Sequence, residues 1–86
     1  MMEYLVDENE PLYSIGVVSK ILDLPEWTLR TLDRAGIVCP QRTEGGTRLY
    51  SNADLKKLKY IAYLIKEEKV NINGIRIIIK MWEERG

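Results

Sequence analysis

The chain has 86 residues, 13 Lys/Arg against 13 Asp/Glu, one cysteine and no histidine. That length fits one domain with a thin core, because so short a chain buries only about 60–65% of its unfolded surface. An intramolecular disulfide is excluded, the commonest general base and metal ligand is missing, and Cys39 alone cannot complete a tetrahedral zinc site.

No nucleophile–base pair stands out, so neither an enzyme nor a cofactor is expected. No apolar run approaches the roughly 18 residues that suggest a membrane span. Met1 to Glu10 is acidic and lacks the basic and apolar regions of a signal peptide. A reduced, cytoplasmic setting is therefore expected. The zero net charge hides a strong asymmetry. Residues 1–27 carry one Lys/Arg and six Asp/Glu, whereas residues 28–60 carry seven and three. The middle of the chain is a basic block, which suits either ordinary solvation or an anionic partner.

Residues 1–11 read as a flexible acidic tail ahead of a domain covering 12–86. Ser14 can cap a first helix over Ile15 to Leu22, with Ile15, Val18, Ile21 and Leu22 on one face. Asp23-Leu24-Pro25 is a tight break. A second helix runs from Glu26 to Arg34, with Leu29 and Leu32 inward and Arg30, Thr31 and Arg34 outward. Gly36 can supply its left-handed end. Two short helices joined by a tight turn read as a helix-turn-helix.

Ile37-Val38-Cys39-Pro40 is extended or irregular, and Cys39 reads as a buried or semi-buried small apolar residue. Gln41-Arg42-Thr43 and Arg48-Leu49-Tyr50 flank a Gly45-Gly46 turn and read as a two-stranded wing hairpin. Ser51 with Asp54 forms a capping box for a third helix reaching about Glu68. Asn71 can cap a fourth, from Ile72 to Glu84, with Ile75, Ile78, Ile79 and Trp82 on one stripe. The fold class is thus mainly α: a winged helix-turn-helix with four helices and a short hairpin.

The recognition helix of such a motif leads with its N-terminal residues. Glu26 could accept from a cytosine amino group and Thr28 could meet a thymine methyl. Arg30 suits a phosphate or a guanine, or a salt bridge with Asp33 or Asp23. Trp27 either packs or joins the interface. Arg42 and Arg48 on the wing can reach the backbone or minor groove, with Gly45 and Gly46 allowing close approach. Lys56, Lys57 and Lys59 add charge or simply solvate a helix face.

Several stretches together resemble the N-terminal DNA-binding domain of the MerR family. They are Tyr13-Ser14-Ile15-Gly16-Val17-Val18, Thr28-Leu29-Arg30, Asp33-Arg34-Ala35-Gly36-Ile37-Val38, the wing run Arg42 to Ser51, and Asp54-Leu55. The run Val70-Asn71-Ile72-Asn73-Gly74-Ile75 resembles the heat-shock repressor (HspR-like) branch. The resemblance implies sequence-specific binding to double-stranded DNA carrying an inverted repeat, by Ser14, Glu26, Trp27, Thr28, Arg30, Thr31, Arg34, Arg42, Gly46, Thr47, Arg48, Tyr50 and Lys57. Tyr50 would donate to a phosphate, or else pack against the first helix. Thr31 and Leu32 stand where the family often has two tyrosines, and Val17 replaces an acidic residue. The resemblance also implies a homodimer in the full-length protein, and chaperone or RNA polymerase contact as further partners. No heptad run precedes Gly86, so a fragment of a longer chain, or dimerisation by other means, is expected. Two alternatives stand beside this reading. One is an excisionase-like architectural DNA-binding protein. The other is a protein-interaction module docking through the Ile75/Ile78/Ile79/Trp82 face.

Overall fold

The computed structural model describes residues 7–85. In chain order the elements are β1 (Tyr13–Ser14), α1 (Ile15–Leu22), α2 (Glu26–Arg34), β2 (Gln41–Arg42), β3 (Arg48–Tyr50), α3 (Asn52–Lys66) and α4 (Ile72–Arg85). Local chemistry explains most of the boundaries. The Ser14 hydroxyl accepts from Val17 N and starts α1. Asp23, at φ 54, ends it in the left-handed region, and Leu24 N then donates to Ser19 O. The end of α2 is a Schellman turn: Ile37 N donates to Leu32 O and Gly36 N to Asp33 O. Gly36 takes φ +76 there, a conformation its missing Cβ makes inexpensive. Ser51 and Asp54 form a reciprocal capping box at α3, and Asn71 Oδ1 accepts from Gly74 N at the start of α4.

The wing hairpin is present as β2 and β3, and a third strand joins it. The sheet order is β1-β3-β2, all antiparallel, with Tyr13 opposite Tyr50 and Arg42 opposite Arg48. Tyr13 pairs with a residue far along the chain, a closure that local periodicity does not encode.

The core draws on all four helices and on β3. Val18 of α1, Leu29 and Leu32 of α2, Tyr50 of β3, Leu58 and Ile61 of α3, and Ile75 and Ile79 of α4 are almost wholly buried. Leu24, Ile37 and Val38 complete it from the connections. Polar ties lock the helix ends. Lys66 Nζ donates to Leu22 O at 2.9 Å, and Arg76 Nη2 to Ala35 O at 3.2 Å. Tyr60 and Trp82 rings meet at 5.5 Å between α3 and α4.

Two expectations are corrected. The expected tail falls partly on residues 1–6, outside the described residues. Residues 7–10 are exposed and touch the domain at two points. Glu8 O accepts from Ala53 N at 2.9 Å, and Gln41 Nε2 donates to Asn9 O at 3.4 Å. Cys39 is exposed, because Val38 and Pro40 take the inward positions on either side. Ile21 is also exposed, since Ile15, Val18 and Leu22 take the core contact of α1 and Ile21 falls to one side of that stripe.

Gly74 marks a close approach. A Cβ at this position would lie 2.7 Å from Val70 Cγ1. Valine is stiff at χ1 and cannot easily swing away. Gly74→Ala is therefore expected to lower stability by about 1 kcal/mol, against the gain of roughly 0.5–1 kcal/mol usual for alanine inside an unhindered helix. Urea unfolding of Gly74→Ala and of Gly74→Ala/Val70→Ala checks this, the double variant recovering the loss that the contact causes.

Candidate nucleic-acid interface

The outward face of α2 follows from what its other face must bury. Thr28, Leu29 and Leu32 point into the core. Trp27, Arg30, Thr31 and Arg34, at i, i+3, i+4 and i+7, are left on the opposite side. Trp27 is 67% exposed, so it is not the packing residue that its size first suggests. Thr31 Oγ1 donates to Trp27 O at 2.8 Å and lies 3.5 Å from Arg34 Nη2. Arg30 Nη2 pairs with Glu26 Oε1 at 2.9 Å, one turn back, rather than with Asp33 or Asp23. No side chain caps the first turn of α2, whose cap position is Pro25.

The wing sits beside the C-terminal end of this helix. Its turn closes through Gly46 N to Thr43 O at 2.9 Å, and Thr47 N donates to Thr43 Oγ1 at 3.1 Å. Gln41 to Thr47 are all exposed. Arg42 and Arg48 both reach the same oxygen, Asp33 Oδ2, at 2.8 Å. The Arg42 side chain keeps 48% of its surface open, whereas Arg48 keeps 18%.

The structure thus brings Glu26, Trp27, Arg30, Thr31, Arg34, Arg42, Gly46 and Thr47 to the surface of α2 and the wing. Other expected contacts are placed elsewhere. Thr28 is buried and cannot present its methyl to a base, because it shares the inward side with Leu32 four residues on. Tyr50 is 1% exposed, and its hydroxyl finds no partner among the described residues. Burial pushes this phenol up to about 12. Of the two roles open to Tyr50, packing is the one its position allows. Ser14 lies at the start of α1, where its hydroxyl oxygen accepts from Val17 N and its O–H remains free to donate. Lys57 pairs with Glu83 and ties α3 to α4. Asp33 is the residue that sequence reasoning missed. The sequence offers it as a partner for Arg30 and as the first residue of the Asp33 to Val38 stretch, and neither points to wing arginines 9 and 15 positions away.

The family model described as MerR HTH family regulatory protein matches residues 13–82. The chain belongs to this family. A Streptomyces coelicolor protein named as heat shock protein HspR is 38% identical over 78 residues, covering 91% of this chain and 52% of that relative. The HTH-type transcriptional regulator MlrA of Salmonella typhimurium is 35% identical over 69 residues, covering 79% and 28%. GlnR of Bacillus anthracis, also named an HTH-type transcriptional regulator, is 33% identical over 77 residues, covering 90% and 59%. This MerR-family chain therefore spans between 28% and 59% of the length of these relatives. Membership places it among regulatory proteins rather than enzymes.

In this MerR-family domain the Asp33 carboxylate is held below its ordinary value of 3.8. Partial burial raises it, but the hydrogen bonds from Arg48 and Arg42 and their charges outweigh that. A lowered folded value gives stability that is present above 3.8 and lost as pH falls through the folded value. The wild-type urea midpoint should therefore drop on acidification below about that point. Asp33→Asn should start lower at neutral pH and fall less steeply in acid. Parallel curves for the two proteins would remove Asp33 as the source.

Proposed function

We propose that this domain is a sequence-specific double-stranded DNA-binding module of a transcription regulator. In this reading α2 enters the major groove and the wing rests on the flanking backbone. The observation that carries it is the continuous outward surface of Trp27, Arg30, Thr31 and Arg34 beside the open Arg42 of the wing. Base readout falls to Glu26, Arg30 and Trp27 at the leading turns of α2, with the Glu26–Arg30 pair presented as one hydrogen-bonding unit. Arg34, Arg42, Gly46 and Thr47 serve the phosphates, which position the protein without reading sequence. Two copies would meet an inverted repeat, each taking one half-site. The likeness to a relative named for heat shock favours a stress-responsive promoter as the target.

Apolar docking through α4 is the second reading, and a specific observation keeps it narrow. Ile75 and Ile79 are consumed by the core, so the outer face reduces to Ile77, Met81 and Trp82.

The test is a salt-dependent titration of the full chain onto duplex DNA, wild type beside Arg30→Ala, Arg34→Ala and Arg42→Ala. Loss of one phosphate contact lowers the log–log salt slope by about 1. Arg34→Ala and Arg42→Ala should weaken binding to all sequences alike, on the order of tenfold, whereas Arg30→Ala should also relax sequence preference. Wild type that binds no duplex even at about 50 mM salt contradicts the reading and favours the α4 surface.

A further inference from the structure

Arg42 and Arg48 stand directly opposite one another across the β2–β3 pair. Like charges at such a position sit with Cβ atoms about 4.5–5.5 Å apart and repel. A single oxygen offsets this. Asp33 Oδ2 accepts from Arg42 Nη2 and from Arg48 Nε, each at 2.8 Å. These are short, charge-assisted hydrogen bonds, the stronger class. The Asp33 and Arg48 side chains are largely covered, at 11% and 18% exposed, whereas Arg42 stays open to water at 48%. Its backbone is engaged as well. Asp33 O accepts from Gly36 N at 3.0 Å and from Cys39 Sγ at 3.6 Å, on the segment leading into the wing. Arg42 Nη1 also lies 3.4 Å from Gly46 O, so the same guanidinium reaches the turn.

Asp33 lies in the last turn of α2, the helix whose outer face reads DNA in the account above. Resting on that reading, we propose that Asp33 is the positioning residue of the interface, the link that fixes the wing relative to the recognition helix. Arg48 is spent on this link, and Arg42 is held by one edge with its remaining surface free for a phosphate. Tyr50 and the β1–β3 pairing anchor the base of the hairpin, but its tip, Gln41 to Thr47, is exposed and has no apolar seat. Without the shared carboxylate its two arginines push apart, and the phosphate contact loses its register with α2.

Charge alone makes the opposite prediction. A carboxylate beside a polyanion opposes binding, so removing it should tighten binding on any sequence. Positioning predicts weaker binding on the correct sequence only.

The experiment uses the full chain, a duplex selected from a random pool by the wild-type protein, and a scrambled duplex of the same composition. Asp33→Asn should lower affinity for the selected duplex by about tenfold while affinity for the scrambled one holds or rises. Asp33→Glu, which keeps the charge on a longer arm, should recover part of the loss. Arg48→Lys keeps the charge but not the planar fork, and should lose affinity for the selected duplex much as Asp33→Asn does. It stands in should Asp33→Asn prove unfolded by circular dichroism. Equal or tighter binding of folded Asp33→Asn to both duplexes overturns the proposal, as does unchanged affinity of Arg48→Lys. Wild type that selects no duplex is a different failure: it removes the DNA reading and the proposal with it.

Discussion

The constraint that organises this molecule is the small amount of apolar surface available to seat α2. Nine residues must hold a helix against the core, and Leu29 and Leu32, with Thr28, are the side chains that do so. Burying each such leucine is worth about 1.5–3 kcal/mol. That is a large share of the few kcal/mol that keep a domain of this size folded. Rotation of α2 about its axis is therefore fixed, since turning it would expose those leucines. Everything outward follows from that rotation: Trp27, Arg30, Thr31 and Arg34 face solvent because their neighbours cannot. The next residues, Ile37 and Val38, are buried too, so the chain reaches the wing along a defined path.

Charge is deployed around this frame rather than summed over it. The chain is neutral, yet several cations are tied into its architecture. Lys66 caps the end of α1, Lys57 pairs with Glu83, Arg76 reaches the end of α2, and Arg48 holds Asp33. Arg30, Arg34 and Arg42 keep open surface on the α2 and wing side. A local positive surface of this kind attracts a polyanion even when the whole chain carries no net charge.

Much of the fold was legible from the sequence because its signals are local. The α1 and α2 limits follow from Ser14, Pro25 and Gly36, and the capping box at Ser51 marks the start of α3. Residues that escaped depend on distant partners. Strand β1 exists because Tyr13 meets Tyr50, and Glu8 O is met by Ala53 N from the start of α3. In the candidate site, Thr28 was misread by type: a small polar residue near a helix start suggests contact, but its spacing from Leu32 turns it inward. Tyr50 carries a hydroxyl, yet the same strand that supplies it to the sheet drives its ring into the core. Asp33 joins residues 9 and 15 positions away, and no periodicity announces such a fork.

The most direct test is to map by amide NMR the surface that duplex DNA perturbs. Shifts are expected to concentrate on α2 and the wing, at Trp27, Arg30, Arg34, Arg42 and Thr47, with the outer face of α4 at Ile77 and Met81 silent. Shifts confined to α4, or spread evenly over the lysines, would contradict it.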